Sequence, residues 1–264
     1  MIKGVLTKML TQFRDEIKYF LDFENEFLIL NQLINKKIEI DLIGFQCLNC
    51  KSDSEIFRQG FCKKCFFEIP KAGDWIMKPE LSKAHLNIED RDLEYEKKIQ
   101  LQPHCIYLAL SSHIKVGVTR KSQIPFRWID QGAHEAVVIA TVPNRYLSGM
   151  GEVALKNSFS DKTNWRKMLQ NEYEKVDWYK MIETAKKSFP NELKNFFESN
   201  INSPLKINYP VLKYPTKVKT LNLKKEKSYK GILKGIKGQY FIFDDQTVFN
   251  IRSNEGLVVN FKIH

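Results

Sequence analysis

A chain of 264 residues is long enough for one large domain or two to three small ones. At 43% hydrophobic, 12% aromatic and 28% charged it can build a packed core, which excludes global disorder, and 42 Lys and Arg against 31 Asp and Glu leave +11, a balance favouring polyanionic partners, nucleic acid before anionic membrane. No apolar run approaches the roughly 18 residues of a membrane span, Met1 to Lys8 carries no apolar signal core, and five clustered cysteines do not make a secreted disulfide scaffold, so a soluble, reduced, cytoplasmic protein without a membrane partner is the expectation.

Residues 1–45 read as a β-rich segment, with near-alternating strands over 17–23 and 37–43. A cysteine-bearing ribbon occupies 46–68, and the charged stretch 89–98 suits a short helix. Residues 100–160 read as an α/β unit with strands at 105–110, 114–118 and 137–142. Its helices are expected at 122–131, with Pro125 in the first turn and Gly132 as the stop, and at 145–157. A helical segment, 161–204, follows, with helices over 164–188 and 192–198. The lysine-rich stretch 205–264 returns to strands, with Gly231, Gly235 and Gly238 as turn or bulge positions before a strand at 239–243. Strand signals at both ends predict that the termini pair into one β-rich module around the middle.

Cys47-Leu48-Asn49-Cys50 and Cys62-Lys63-Lys64-Cys65 are two CxxC pairs separated by 11 residues. Two such knuckles let four thiolates converge on one ion, and Gly60 can turn the intervening hairpin. A redox motif needs only one pair, and iron–sulfur clusters show other spacings. The expectation is a structural Zn²⁺ site on Cys47, Cys50, Cys62 and Cys65, closed to catalysis because no coordination position stays open. Cys105, alone on a strand, reads as a small buried apolar residue. Arg58, Lys63 and Lys64 on the ribbon suit phosphate contact or a solvated, protein-docking face equally.

Ile106-Tyr107 and Lys115-Val116-Gly117 resemble the paired strand motifs of the GIY-YIG nuclease superfamily, in the Lys-(Ile/Val)-Gly-x-Thr form of its divergent branches. Arg127, 10 residues after Gly117, and Glu152, on the helix after the third strand, match the superfamily's arginine and metal-binding glutamate. The resemblance implies an α+β fold: a three-stranded sheet with flanking helices, here joined to a zinc ribbon and β-rich N- and C-terminal segments. It implies catalytic positions at Tyr107, Lys115, Arg127 and Glu152, with Glu152 holding Mg²⁺ or Mn²⁺. Lys115 stands where the superfamily has its second tyrosine and Cys105 where it has its first glycine, which favours binding over cleavage. On the predicted helix 145–157, Arg145 and Glu152 share a face, with Ser148 and Gly149 leaving room for a phosphate backbone and Leu147, Met150 and Ala154 on the core side. His104, His113 and His134 read as edge or loop residues.

Lys115 to Arg120, then Arg127 to Ala133, Asn144-Arg145-Tyr146 and Asp161 to Trp165, are similar over nearly the whole chain to the domain of unknown function 2797 family, a likeness that supplies no reaction. Residues 213–237 hold nine lysines and one acid, +8 of the total. Tyr214 and Tyr229 interleave with them, as on nucleic-acid surfaces, although lysines also guard edge strands. The expected function is nucleic-acid binding, DNA or RNA, on a GIY-YIG-like scaffold, with Arg120, Arg145, Lys224, Lys225, Lys227 and Lys230 as contacts. The alternatives are a divalent-metal-dependent endonuclease using Tyr107, Arg127 and Glu152, and a non-enzymatic protein-interaction adaptor.

Overall fold

The computed structural model describes residues 1–23, 26–160 and 162–264, so Asp161 of the family-like run lies outside the described residues. The strands, in chain order, are β1 (Ile2–Val5), β2 (Leu10–Gln12), β3 (Lys18–Phe23), β4 (Glu26–Ile29), β5 (Lys37–Phe45), β6 (Ile56–Arg58), β7 (Phe61–Cys62), β8 (His104–Leu110), β9 (Ile114–Arg120), β10 (Glu135–Val142), β11 (Leu205–Lys206), β12 (Lys219–Thr220), β13 (Ser228–Lys237), β14 (Tyr240–Phe243), β15 (Thr247–Asn250) and β16 (Leu257–Ile263). The α-helices are α1 (Lys63–Glu68), α2 (Leu93–Gln100), α3 (Phe126–Asp130), α4 (Arg145–Leu155), α5 (Trp165–Leu169), α6 (Trp178–Ser188) and α7 (Leu223–Glu226). The chain is α+β and divides into two compact units.

The first unit comprises Met1–Phe67, Leu169–Asn171 and Ile207–His264. Its seven-stranded sheet runs β1-β16-β5-β13-β14-β15-β12, so the two ends of the chain meet: Ile2 pairs with Phe261 and Val5 with Val258. Alternation along β5 sends Ile38 and Ile40 into a core with Phe241, Phe249 and Phe261, all fully buried. β13 lies between β5 and β14, so Lys230, Lys234 and Lys237 of the lysine-rich stretch sit on an interior strand, whereas Lys219 sits on β12 at the edge of the sheet, where a lysine can guard it. Gly238, at φ +61, turns β13 into β14. Gly235 follows a register shift against β14 and bridges Val211, whose Cα would lie 2.7 Å from an added Cβ. Gly231 pairs regularly with Ile38 and makes no turn.

The second unit comprises Glu68–Met168 and Glu172–Lys206. Its sheet runs β11-β10-β8-β9, antiparallel throughout, with two-residue β11 extending the expected three strands to four. All seven residues of β8 are buried, so the strand reads as a continuous run without alternation. One face carries Ile106, Leu108, Val116 and Ile139, packed on Leu155, Ala185 and Leu193. The expected helix at 122–131 is instead a 3-10 turn, Lys121–Gln123, followed by α3, with Pro125 as N-cap after a cis Ile124–Pro125 bond. A proline's missing N–H and fixed φ do not fit the interior of a longer helix. Gly132, at φ +67, ends α3 as expected. The segment 164–188 splits into α5 and α6.

The inward face of α4 is Ser148, Gly151 and Leu155, whereas Leu147 and Ala154 are half-buried and Met150 is exposed. The room left by Gly149 is filled by the chain itself: a Cβ there would lie 2.3 Å from the Glu80 amide nitrogen and 2.6 Å from the Pro79 carbonyl carbon. Backbone cannot step aside, so Gly149→Ala, which would stabilise a free helix by about 1 kcal/mol, is expected to cost about 1–3 kcal/mol here. Thermal denaturation should show this loss, while Gly44→Ala, with nothing within 4 Å of its Cβ, leaves such a steric loss absent.

Candidate functional site

Two groups of candidate residues fall in separate units. In the first unit, β6 and β7 form a hairpin turned at Gln59 and Gly60 (φ +52 and +78). It carries Cys62 to the loop bearing Cys47 and Cys50, and α1 adds Cys65. The four Sγ atoms lie within 4.8 Å of one another, with Cys50 and Cys62 at 3.9 Å. A tetrahedron with ligand bonds of about 2.3 Å has edges of about 3.8 Å, so the cluster can hold a metal ion such as zinc. Among the described residues it is the one group of three or more His, Cys, Asp and Glu that could do so.

Outer contacts hold these sulfurs. The Cys62 amide donates to Cys47 Sγ (3.3 Å), Asn49 Nδ2 donates to Cys65 Sγ (3.4 Å), and Ser52 Oγ lies 3.2 Å from Cys50 Sγ. Ser52 holds the Cys50 thiol down at about 6, favouring the ligating thiolate. Cys47, Cys62 and Cys65 are buried and Cys50 is exposed; Cys105 is buried in the other unit, as expected of a packing residue.

The second group surrounds Tyr107. Its cross-strand partner on β9 is Gly117, and a Cβ there would lie 2.6 Å from the Tyr107 hydroxyl, so the ring crosses the strand where only glycine leaves space. Trp128 of α3 meets the ring edge-on at 5.9 Å, and the hydroxyl donates to Gln131 Oε1 at 3.2 Å. Thr119 donates to Gln123 Oε1, tying down the turn before α3. Burial raises the phenol's pKa; Arg127 opposes the rise by charge and hydrogen bonding, and Glu152 adds to it. Charges on α3 and α4 therefore both act on the buried phenol of β8.

Arg145 enters the same electrostatic cluster, but its side chain is mostly committed inward. Nε donates to the Trp75 carbonyl (3.0 Å) and Nη2 to that of Ile76 (2.7 Å), with the guanidinium 5.5 Å from the Trp75 ring. Burial lowers its pKa to about 10, Glu152 and Glu80 oppose the drop, and Arg127 and Arg120 deepen it. Glu152 has a side chain 12% exposed, 3.9 Å from Lys156. Lys115 is buried, Cα-paired with Ala109 on the Tyr107 face of the sheet. His104, expected at an edge or loop, is fully buried: its Nδ1 lies 2.7 Å from the Gln102 carbonyl, its Nε2 is without a partner, and burial lowers its pKa to about 4. The charge pattern alone could not show Glu80 or the carbonyls of Trp75 and Ile76, because residues 69–88 pack through short 3-10 turns that carry no period.

The tail lysines lie in the first unit. Lys230 pairs with Glu39 at 2.9 Å, and Lys262 with Lys230 holds that carboxyl down at about 2. Lys224 pairs with Glu55 at 3.3 Å and donates to the Ile56 carbonyl at 3.1 Å. Lys225 and Lys227 are exposed, and Lys237 is fully buried. Acids distant in sequence thus compensate part of a segment that counts as +8 on its own.

The family model described as protein of unknown function (DUF2797) matches residues 35–259. The chain belongs to that family. No curated protein and no solved structure matches this DUF2797 chain. No described helix is long and apolar enough to cross a membrane.

Proposed function

We propose that this chain is a nucleic-acid-binding protein, for DNA or RNA, in which Arg127 and Arg120 meet the phosphate backbone on a GIY-YIG-like scaffold. Zn²⁺ at Cys47, Cys50, Cys62 and Cys65 is a structural staple in a ribbon. The observation that carries the reading is the Tyr107 ring, buried against Trp128 with its hydroxyl bonded to Gln131, on which the charges of Arg127 and Glu152 both act. Half-exposed guanidinium groups in such a cluster suit bidentate phosphate contact.

The poorly exposed Glu152 carboxylate beside that cluster favours a second reading, phosphodiester hydrolysis. Glu152 would hold Mg²⁺ or Mn²⁺, which supplies Lewis-acid stabilisation of the leaving oxygen. Tyr107 would act by position: burial disfavours its phenolate, and its proton is directed to Gln131. Lys115, buried in the sheet, would contribute charge.

Labelled single- and double-stranded DNA and RNA, incubated with purified protein with and without Mg²⁺ or Mn²⁺, test both readings. Salt-dependent binding is expected, weakened about tenfold by Arg127→Ala with a salt slope smaller by about one. Metal-dependent cleavage lost in Glu152→Ala would establish the second reading. Absence of binding at low salt would overturn both and leave a protein-interaction adaptor.

A further inference from the structure

The ribbon presents three aromatic rings that its metal cluster does not use. Phe57 on β6 and Phe66 and Phe67 on α1 form a mutually packed triad, with centroids 5.3 Å (57–66), 5.7 Å (57–67) and 5.4 Å (66–67) apart. Instead of closing into a core, the triad opens to solvent: Phe57 is 43% exposed and Phe67 57%. Exposed rings this large, grouped rather than scattered, mark a contact surface. Their framework is stiff, because Cys62 directly precedes α1 and Cys65 lies within it, so the ion cluster fixes the helix against the hairpin.

One cation lies against the rings and two more share their helix. The Arg58 guanidinium lies 5.3 Å from the Phe57 centroid, and Lys63 and Lys64 are exposed on the first turn of α1. Lys224, some 160 residues further along the chain, reaches the same hairpin, donating to the carbonyl of Ile56 beside Phe57 and engaging Glu55, the nearest acid on that strand's approach. One lysine of the basic tail therefore meets the aromatic ribbon within the first unit. A polar rim alone also suits a protein contact, but rings bordered by guanidinium and ammonium groups match unpaired bases on a phosphate backbone.

We propose that Phe57 and Phe67 form a stacking platform for single-stranded nucleic acid, with Arg58, Lys63 and Lys64 engaging the adjoining phosphates. This rests on the nucleic-acid reading and narrows its substrate to strands with unpaired bases. Bases in a duplex are already stacked on each other and cannot use the rings.

The test uses the full chain with its metal bound and a short oligothymidylate carrying one 2-aminopurine. Stacking is expected to change the probe's fluorescence, and single strands are expected to compete better than the matching duplex. Phe57→Ala and Phe67→Ala should each weaken single-strand binding about 5- to 100-fold. Phe67→Trp should restore both affinity and the fluorescence response, and unchanged metal content in each variant confirms an intact ribbon. If the chain binds polynucleotide but the phenylalanine variants bind and report like the parent, the platform is overturned while the phosphate site stands. If no polynucleotide binds at about 50 mM salt, both fall. If instead sedimentation shows self-association that Phe67→Ala abolishes, without single-strand preference, the triad is a contact between copies and the platform is overturned.

Discussion

With Zn²⁺ in the four-cysteine site as proposed, its removal is expected to unfold the ribbon at residues 46–68 while leaving the seven-stranded sheet formed. The ribbon's regular structure is a three-residue strand, a two-residue strand and a six-residue helix. A hairpin that short is not stable alone, and one turn and a half of helix does not nucleate in water. Its buried apolar side chains are few beyond the cysteines, Ile56 chief among them. The sheet beside it has its own core in Ile38, Ile40, Phe241, Phe249 and Phe261, and does not depend on the ion. A structural tetrathiolate zinc site supplies about 10–16 kcal/mol of apparent binding free energy, far more than such a ribbon's contacts. Strong chelation should therefore make residues 46–68 the first site of limited proteolysis, and one equivalent of zinc should restore protection. Cys47→Ser should lower bound metal and reproduce the sensitivity, while Cys105→Ser, a substitution in the other unit, should leave the metal content of the parent unchanged. A chelated chain still protected at 46–68 would show that contacts alone hold the ribbon.

The parts of this architecture that were legible in the sequence are those with a short-range code. Two CxxC knuckles announce their convergence because each fixes two thiolates within a turn, and Gly60 shows how they are brought together. Alternation in residues 37–43 marked β5, and strand signals at both ends anticipated the pairing of β1 with β16. Ile106-Tyr107 and Lys115-Val116-Gly117 were informative because an antiparallel register sets Tyr107 over Gly117. What stayed hidden depends on partners far along the chain. The space above Gly149 is filled by Pro79 and Glu80, from a stretch of 3-10 turns with no hydrophobic period, so of the core-side residues expected on α4 Leu147 packs on the core while Met150 is exposed. Arg145 reads as a phosphate contact in the sequence, but the carbonyls of Trp75 and Ile76 hold its guanidinium. The nine tail lysines read as one cationic run, yet Glu39 and Glu55 neutralise two of them and burial claims a third.

That third lysine gives the chain a pH-dependent stability that Lys237→Met should remove. Lys237 is fully buried, its ammonium 5.5 Å from the Tyr209 ring and 5.3 Å from that of Tyr214, and it donates to Asn171 Oδ1 at 3.1 Å. Desolvation disfavours the charged form and lowers the pKa from 10.5 to about 7. Between those values the unfolded chain holds the proton and the folded chain has released it, so stability rises with pH across the window. The contribution is complete above the unfolded value and is lost as pH falls through about 7. The slope approaches about 1.4 kcal/mol per pH unit, or about 2–3 kcal/mol between pH 7.5 and 9.5. For a chain of this size that amounts to a rise of about 5–10 °C in melting temperature. Tyr107 and Tyr229 also have raised pKa values in the fold, so their opposing effect sets in only as free tyrosine begins to ionise near pH 10. The difference between parent and Lys237→Met cancels those groups and isolates the lysine. Lys237→Met keeps the length and most of the packing volume of the stem, so the variant should be at least as stable as the parent near pH 7 and lose that advantage by pH 9.5. Parallel melting curves across the range would mean that the amine stays protonated in the fold, held by the two rings and Asn171 against the cost of burial.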